Sequence, residues 1–446
     1  MKIDDIPVLG GIIGLFSGED IDYGFPVVII GLVFVIFGLG YFGVSQSQVF
    51  TVLIALAPIW LPVLTFLVFF QVYTNMIGKK FGIKSGRTIY EIILPPEVFK
   101  SPQAMEYVFT QIYNKANPDN LMETYLDGKR PLPLTFELVS RGGDISLYAT
   151  LPEKSAQGFS DAIYAQYPGV ELHKLDLDYA AEIPNNLKGV SFMSFHVAKK
   201  KGSELPINTY LDMGMDKLPK EEEKVDPMTP MLEVLAGIEP EQQLWIQFIV
   251  KAHRDKSFKM GQLKSKGTWE KGVQEAIEKI MNNGLDDPNE PGSYPRITPG
   301  QRNLVESMER NMGKSPFEFA ARMIYISHKN DHHYDGALFS RMSRMIASFD
   351  GANGIGIRWR TDFNYKMLSD PFGKKIPAMK KAELKEYKGR KLYAKSGGMG
   401  YKIMTAEEMA TIFHLPGTVA RTPTLHRVTS TRSEAPSNLP TGKIPR

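Results

Sequence analysis

The longest pattern along the chain is an apolar run near the N-terminus. No Asp, Glu, Lys or Arg occurs over the 56 residues from Tyr23 to Gly78. A bilayer core about 30 Å thick needs roughly 20 apolar residues of helix, and the run holds two such lengths, Gly24–Val44 and Val49–Tyr73, joined by the polar Ser45–Gln48. The pattern predicts a two-helix transmembrane hairpin over residues 23–78, after an N-terminal segment over 1–22. The alternative is a buried helical hairpin inside a large soluble core.

Basic residues beside the predicted spans indicate their orientation. Lys79, Lys80, Lys84 and Arg87 follow the second span with no acidic residue among them. Cytoplasmic flanks carry an excess of Lys and Arg, and an even number of spans leaves both ends on one side. The prediction is a multi-pass protein of the cytoplasmic (inner) membrane, with the lipid bilayer as a partner and both termini in the cytoplasm.

After the run, the pattern changes to short alternating segments and amphipathic helices. Over residues 85–180 it predicts a strand, a helix, two strands joined by a tight turn, a helix and a strand. The order β-α-β-β-α-β is that of the ferredoxin-like domain. The predicted elements are Thr88–Leu94, a helix from Ser101 to about residue 117, Leu134–Ser140, Ile145–Leu151, Glu153–Gln166 and Val170–Leu177.

Residues 186–350 predict a second α/β unit, which could also be ferredoxin-like. The two stretches share no repeat that can be aligned, so duplication stays a hypothesis. The mixture of predicted helices and strands gives the fold class α+β. Thr298 is the predicted N-cap of one helix. The predicted elements are Val190–Lys199, Met228–Gly237, Gln243–Ala252, Trp269–Asn282, Pro299–Met312, Phe317–Ser327 and Tyr334–Phe349.

Composition and motifs exclude several kinds of chemistry. The chain has no cysteine, which excludes disulfides, thiolate metal sites and cysteine nucleophiles. It has no glycine-rich loop ending in Gly-Lys-Ser/Thr, and the G-x-G-x-x-G string at Gly38–Gly43 falls inside the first predicted span, where small residues favour helix packing. We therefore predict no catalytic residue, cofactor or metal.

Three of the eight histidines lie together at His328, His332 and His333. The spacing of His328 and His332 could chelate a metal on a helix, but the pattern predicts a loop there, and a solvated polar loop is the favoured interpretation. An unrecognised hydrolase is a hypothesis that depends on this loop alone.

Positive charge is concentrated at the C-terminal end. Residues 351–446 carry 18 Lys+Arg and 7 Asp+Glu, a net +11. They divide into a basic region over 351–420 and a tail over 421–446, whose Thr, Ser, Pro and Arg content predicts flexibility. The basic region could bind DNA or anionic lipid, or be a solvated surface. The candidate polyanion contacts are Lys374, Lys375, Lys380, Lys381, Lys385, Lys388, Arg390, Lys391 and Lys395.

Several short segments between residues 85 and 440 form a characteristic series in content and order. They are Pro95–Glu106, Phe136–Ser140 with the Gly142-Gly143 turn, Tyr164–Pro168, Asp226–Met228, Leu232–Leu235, Trp245–Gln247, Thr298–Gly300, Ala406–Gly417 and Ser437–Pro440. This series resembles a poorly characterised, membrane-anchored α/β family of Patescibacteria (the candidate phyla radiation). Its members are fused to, or encoded beside, coupling-type ATPases of type IV secretion and conjugation.

The resemblance implies a subunit of a secretion-like or conjugation-like machine. Because the chain stops at Arg446, where larger relatives continue into an ATPase, we expect the hexameric ATPase on a separate polypeptide. The preferred hypothesis is a non-enzymatic, membrane-anchored scaffold that docks this ATPase or other secretion subunits on the cytoplasmic face. The alternative is a membrane-tethered nucleic-acid-binding protein in DNA uptake or transfer. A homo-oligomer remains open under either hypothesis.

Overall fold

We describe the protein from a computed structural model. The described residues are 51, 54–55, 57–95, 101–216, 226–254, 268–282, 297–327, 336–349, 355–359, 373–392, 401–417, 425 and 427. The predicted first span, the Gly38–Gly43 string, the histidines at 328, 332 and 333, and Lys395 lie outside the described residues.

A single antiparallel sheet organises the described part of the chain. Its strands lie in the order β4-β1-β3-β2-β6-β7-β5-β8, and β9 pairs with one end of β7. The fold is therefore mixed α+β, as predicted. The strands are β1 Thr88–Ile93, β2 Leu134–Arg141, β3 Asp144–Leu151, β4 Glu171–Leu175, β5 Ser191–Lys199, β6 Gln242–Ala252, β7 Pro316–Ser327, β8 Ile355–Trp359 and β9 Lys402–Thr405.

The sheet consists of two halves with equivalent strand orders. In the first half the order is β4-β1-β3-β2, and in the second it is β8-β5-β7-β6. The halves meet where β2 pairs antiparallel with β6, from Leu134 opposite Val250 to Arg141 opposite Gln243. The two stretches predicted separately from the sequence are thus joined by backbone hydrogen bonds across this seam.

Helices cover one face of the sheet, where the larger apolar core lies. Helix Pro102–Ile112 packs against Glu153–Gln166 and Ala406–Ile412, and helix Thr229–Ala236 packs against Gly336–Met345. Their buried side chains meet Phe136, Phe248 and Met323 from the strands. The helices are α1 Ala57–Lys84, α2 Pro102–Ile112, α3 Glu153–Gln166, α4 Thr229–Ala236, α5 Trp269–Asn282, α6 Pro299–Met312, α7 Gly336–Met345, α8 Lys375–Lys388 and α9 Ala406–Ile412.

The opposite face has a smaller core that the sequence did not predict. Val139, Trp245 and Ile324 from the strands are fully buried there against Leu384 and Tyr387 of α8. The 3-10 helix Tyr179–Glu182 covers the same face beside α8. The sheet is therefore covered on both faces, with a larger apolar core on one face and a smaller one on the other.

Most of the predicted elements lie within two residues of the observed bounds, but two helices end early. The helix predicted over Tyr334–Phe349 ends at Met345 and is followed by the 3-10 helix Ala347–Phe349. Helices α3, α5 and α6 have the predicted bounds, and Thr298 forms a capping box with Gln301. Helix α2, however, ends at Ile112, about five residues early. The reason is tertiary: the Tyr113 ring packs edge-on against Phe317 at 5.1 Å, and its hydroxyl donates to the His253 carbonyl.

The prediction of a transmembrane hairpin and a multi-pass membrane location is wrong. Among the described residues, none of the helices combines the length and apolarity needed to cross a bilayer. Most of the second predicted span lies on α1, which runs without interruption into Lys79, Lys80 and Lys84. The hydropathy pattern did not reveal this continuity or the contacts that the end of α1 makes with the body.

The C-terminal half of α1 docks onto the π-helix Glu123–Asp127 and the loop after it. The Phe70 ring lies 5.6 Å from that of Tyr125. Arg130 donates through Nη2 to the Thr74 carbonyl at 2.9 Å, and Ile77 is only 5% exposed. These polar and apolar contacts connect α1 to the sheet-based body.

Part of the predicted tail is bound to the sheet. Leu425 is buried and forms a parallel bridge with Ile145, and Arg427 forms one with Leu94. The other residues of the 421–446 segment lie outside the described residues. At these two positions, at least, the segment contacts the body.

Candidate functional site

The predicted polyanion contacts mostly lie on or beside α8. Lys374 precedes the helix as its N-cap residue and Lys375 begins it. Lys374, Lys381, Lys385 and Lys391 are exposed, whereas Lys380 and Lys388 are half-buried and Arg390 is buried. Burial lowers the pKa of Lys380. The structure therefore separates one predicted cluster into an outward-facing group and an inward-facing group.

Helix periodicity explains this separation. Residues three and four positions apart share one face of a helix, and Glu383, Leu384 and Tyr387 occupy the face toward the sheet, where each is buried. Lys381 and Lys385 occupy the opposite face. Glu383 also shares a hydrogen bond with His196 of β5, at 2.8 Å between Oε2 and Nε2.

Arg390 lies just beyond α8 in a conformation that is unusual for a residue other than glycine. Its φ is +49°. Its N–H donates to the Tyr387 carbonyl and the Lys391 N–H donates to the Glu386 carbonyl, which is the Schellman arrangement that glycine usually completes. Left-handed backbone at such a residue costs about 1–3 kcal/mol and needs support from its surroundings.

That support comes from two carboxylates, Glu137 of β2 and Asp178, the N-cap residue of the 3-10 helix Tyr179–Glu182. Arg390 donates from Nε to Glu137 Oε1 at 3.0 Å and from Nη2 to Asp178 Oδ1 at 3.0 Å. Burial alone would lower the pKa of Arg390, but Glu137 and Asp178 outweigh burial and raise it. Arg390 similarly outweighs the burial of Asp178 and holds the pKa of that carboxyl below its usual value.

Glu137 is the centre of this network and is fully buried in β2. Its Oε1 accepts from Thr135 Oγ1 at 2.7 Å and from Gln247 Nε2 at 2.9 Å, besides Arg390. Its Oε2 accepts from the Tyr179 hydroxyl at 2.6 Å. A buried carboxylate needs such a set of donors, because an unpaired charge in the interior is costly.

Two tyrosines complete the network above Glu137. The Tyr179 and Tyr387 hydroxyls are 2.8 Å apart. The Tyr179 ring also stacks on Tyr148 at 4.5 Å. Burial and the neighbouring Glu137 raise the pKa of both Tyr179 and Tyr387 well above the usual value. Both hydroxyls are therefore neutral at physiological pH.

The network belongs to a polar row that crosses the sheet. Adjacent strands place Tyr148 beside Glu137, Glu137 beside Gln247, Gln247 beside Arg322, and Arg322 beside His196. Arg322 donates to the Lys391 carbonyl and Gln247 to the Tyr387 carbonyl. The row thus binds α8 and its C-terminal turn to strands from both halves.

A second buried network holds the C-terminal part of the body, residues 402–417, which we name the C-terminal clasp. Glu408 of α9 is 2% exposed, and its Oε1 lies 2.8 Å from Nζ of the fully buried Lys199 side chain. The same oxygen accepts from the Ile207 N–H at 2.9 Å. Its Oε2 accepts from the Thr405 N–H and completes a capping box.

The neighbouring Glu407 binds different segments. Its Oε1 accepts from Thr209 Oγ1 at 2.6 Å and from Arg310 Nε at 3.1 Å. Arg310 also reaches Asp212 Oδ1 at 2.8 Å. Adjacent glutamates thus connect the clasp to β5, to the segment after it, and to α6.

Most residues of both networks could not be singled out from the sequence, although two signals mark some of them. Glu137 and Gln247 are polar positions inside otherwise apolar strand segments, which indicates buried partners. Thr405-Ala406-Glu407-Glu408 matches the capping-box pattern and predicts a helix start. Their partners, such as Arg390 and Lys199, could not be identified without the fold.

Within the part of the chain that the structure describes, His, Asp and Glu residues nowhere group as metal ligands would. The scan against family models finds no match, and no curated protein matches the chain.

Proposed function

We propose that this chain is a non-enzymatic scaffold or accessory subunit of a type IV secretion or conjugation-like machine, which docks a separate ATPase. The observation that carries the proposal is the buried Lys199–Glu408 pair, 2.8 Å apart, which fixes the C-terminal clasp to β5. Residues 406–417 of the clasp belong to the series on which the family resemblance depends. A fixed connection of this kind would hold a partner bound at the C-terminal segment in a set position relative to the body.

The environment of the buried carboxylates supports a structural role for them. Glu137, Glu407 and Glu408 are at most 2% exposed, and each accepts hydrogen bonds from several donors. A general acid or base has to come within hydrogen-bonding distance of a substrate. Carboxylates enclosed and saturated in this way act instead as connections between distant segments.

We also propose that each half of the sheet is a ferredoxin-like unit. The shared strand order supports this, as do the helices α2 and α3, which follow β1 and β3 in the first half. In the second half α4 and α7 follow β5 and β7, while α5 and α6 are an insertion between β6 and β7. Two such units joined at the β2–β6 seam would provide one wide, rigid platform.

The test is isolation of the tagged full chain from its native cells, with the stoichiometry of co-purifying proteins measured by mass spectrometry. We expect a coupling-type ATPase in fixed ratio, and the purified pair should re-form a complex in size-exclusion chromatography. Nucleotide hydrolysis by the purified chain alone would contradict the proposal. So would failure of the purified pair to associate.

A further inference from the structure

The side chains of the lysines exposed on α8 and just beyond its end take no part in the two buried networks described above. Lys381 and Lys385 are one turn apart on the exposed face of α8, and Lys391 is exposed just beyond the end of the helix. One helical turn advances about 5.4 Å. The small residues Ala378 and Ala382 are also exposed on this side, so the face is cationic and sterically open.

The exposed lysines are held in place by the opposite side of the helix. Leu384 and Tyr387 are fully buried, Glu383 contacts His196, and Arg390 contacts Glu137. Burial and hydrogen bonding on one side leave the backbone little freedom to adjust. The cationic face is therefore preformed, which reduces the entropy lost when a ligand binds.

We propose that this face binds the phosphate backbone of nucleic acid. Binding of nucleic acid is a further activity, beyond the scaffold function proposed above. Lysine acts as a point charge toward phosphates. Protein–protein interfaces, by contrast, are depleted in lysine and use aromatic residues and arginine as anchors. The face on α8 offers lysines beside small alanines, which fits a row of phosphates better than an acidic protein surface.

The structure also separates the predicted basic residues that can contact phosphate from those that other groups of the protein bind. Arg390 is buried against Glu137 and Asp178. Lys388 donates to the Ile183 carbonyl and, at 2.8 Å, to Asn185 Oδ1. The side chains of Arg390 and Lys388 therefore bind acceptor groups of the protein itself. Lys381, Lys385 and Lys391 are the contacts that the proposal assigns.

Fluorescence anisotropy with the full chain tests the proposal, using labelled single-stranded and double-stranded DNA of mixed sequence from about 50 to 200 mM NaCl. Three phosphate contacts predict a slope of log affinity against log salt of roughly −2 to −3. The triple variant Lys381→Gln, Lys385→Gln, Lys391→Gln should bring that slope near zero, since removing one phosphate contact makes it shallower by about one. The matched control is Lys154→Gln, Lys271→Gln, Lys279→Gln, which removes the same charge from exposed positions on α3 and α5.

Retained binding in the control and loss of binding in the α8 triple variant, with equal urea midpoints, would support the proposal. Equal loss in both variants would overturn it, because net charge alone would then explain binding. Absent or salt-independent binding would also overturn it. Displacement of DNA by poly-glutamate at equal charge concentration would identify an acidic protein as the preferred ligand and sink the nucleic-acid assignment. None of these outcomes depends on whether an ATPase co-purifies.

Discussion

Arg390 and Glu137 form a buried ion pair across 253 residues of sequence, with Nε 3.0 Å from Oε1 and both side chains at most 4% exposed. The pair joins the turn after α8 to β2, at the seam between the halves of the sheet. Arg390 has an unusual backbone conformation, with φ +49°, and its partner Glu137 also accepts hydrogen bonds from Thr135, Gln247 and Tyr179.

Replacing Arg390 with Met should therefore destabilise the protein by about 3–5 kcal/mol, because Glu137 would keep a buried charge without its cation. Urea unfolding with a shared m-value measures the destabilisation. Lys391→Met is the neighbouring control and should change stability by less than about 0.5 kcal/mol, as is usual for exposed positions.

The double variant Arg390→Met, Glu137→Leu tests the coupling between the two residues. Replacing both charges with apolar groups removes the unpaired carboxylate, so the double variant should lose less stability than the sum of the single variants. Strict additivity in this cycle would contradict a direct interaction between Arg390 and Glu137.

Glu408→Gln should loosen the C-terminal clasp without unfolding the sheet. The buried Lys199 would lose its counter-charge and the Ile207 N–H would lose a charged acceptor. We expect faster amide exchange over residues 402–417 and at Ile207, measured by hydrogen–deuterium exchange mass spectrometry, with strands β2 and β3 unchanged. Lys201→Met, exposed near Lys199, is the control and should leave exchange as it is. Uniformly faster exchange would argue against a separate clasp.

Alkaline pH should destabilise the protein through Tyr179 and Tyr387. Both have a raised pKa, from burial and from Glu137, so above about pH 10 the unfolded chain releases protons that the folded chain retains. Stability should therefore fall as pH rises, by up to about 1.4 kcal/mol per pH unit for each tyrosine. Urea unfolding between about pH 9 and 11 measures the slope, and Tyr387→Phe should make it shallower. An unchanged slope in that variant would refute the assignment.

Acid should weaken the contact between the clasp and Asp226. Burial would raise the pKa of Asp226, but His414, 3.2 Å away, and the N–H of Met228 outweigh it and leave the pKa below its usual value. The contribution of Asp226 is thus present above the usual Asp pKa and is lost as pH falls. Asp226→Asn should be less stable at neutral pH and should lose less stability between about pH 5 and 3. Parallel pH curves for the two proteins would contradict this.

The docking of α1 depends on a glycine. Gly128 has φ +68°, and an added Cβ would lie 2.4 Å from Ile77 Cγ2 and 3.0 Å from the Ile77 backbone. Gly128→Ala should cost about 1–3 kcal/mol through backbone strain and displacement of α1. Gly158→Ala is the matched control, because a Cβ there meets nothing within 4 Å. Because Gly158 lies in the interior of α3, Gly158→Ala should stabilise the protein by about 0.5–1 kcal/mol. A similar destabilisation in both variants would refute the packing argument.

The sequence by itself determined most of the regular elements. Alternation and 3.6-residue periodicity are local properties, so strands such as Leu134–Arg141 and helices such as Glu153–Gln166 could be predicted from neighbouring residues alone. The capping box at Thr298 was visible for the same reason. The basic character of α8 was also evident, because net charge depends on composition.

The tertiary structure decided the rest, because it depends on residues far apart in sequence. The periodicity of a strand does not specify its partner, and only the fold placed β2 beside β6 and made one sheet from two stretches. Hydropathy favours a separate hairpin for the apolar run because it does not reveal that Arg130 binds the Thr74 carbonyl. Among the basic residues near α8, burial assigned Arg390 to Glu137 and left Lys381 and Lys385 exposed. Whether a charge faces another charge or water is decided by packing across the whole chain, and the pattern of residues around it does not contain that information.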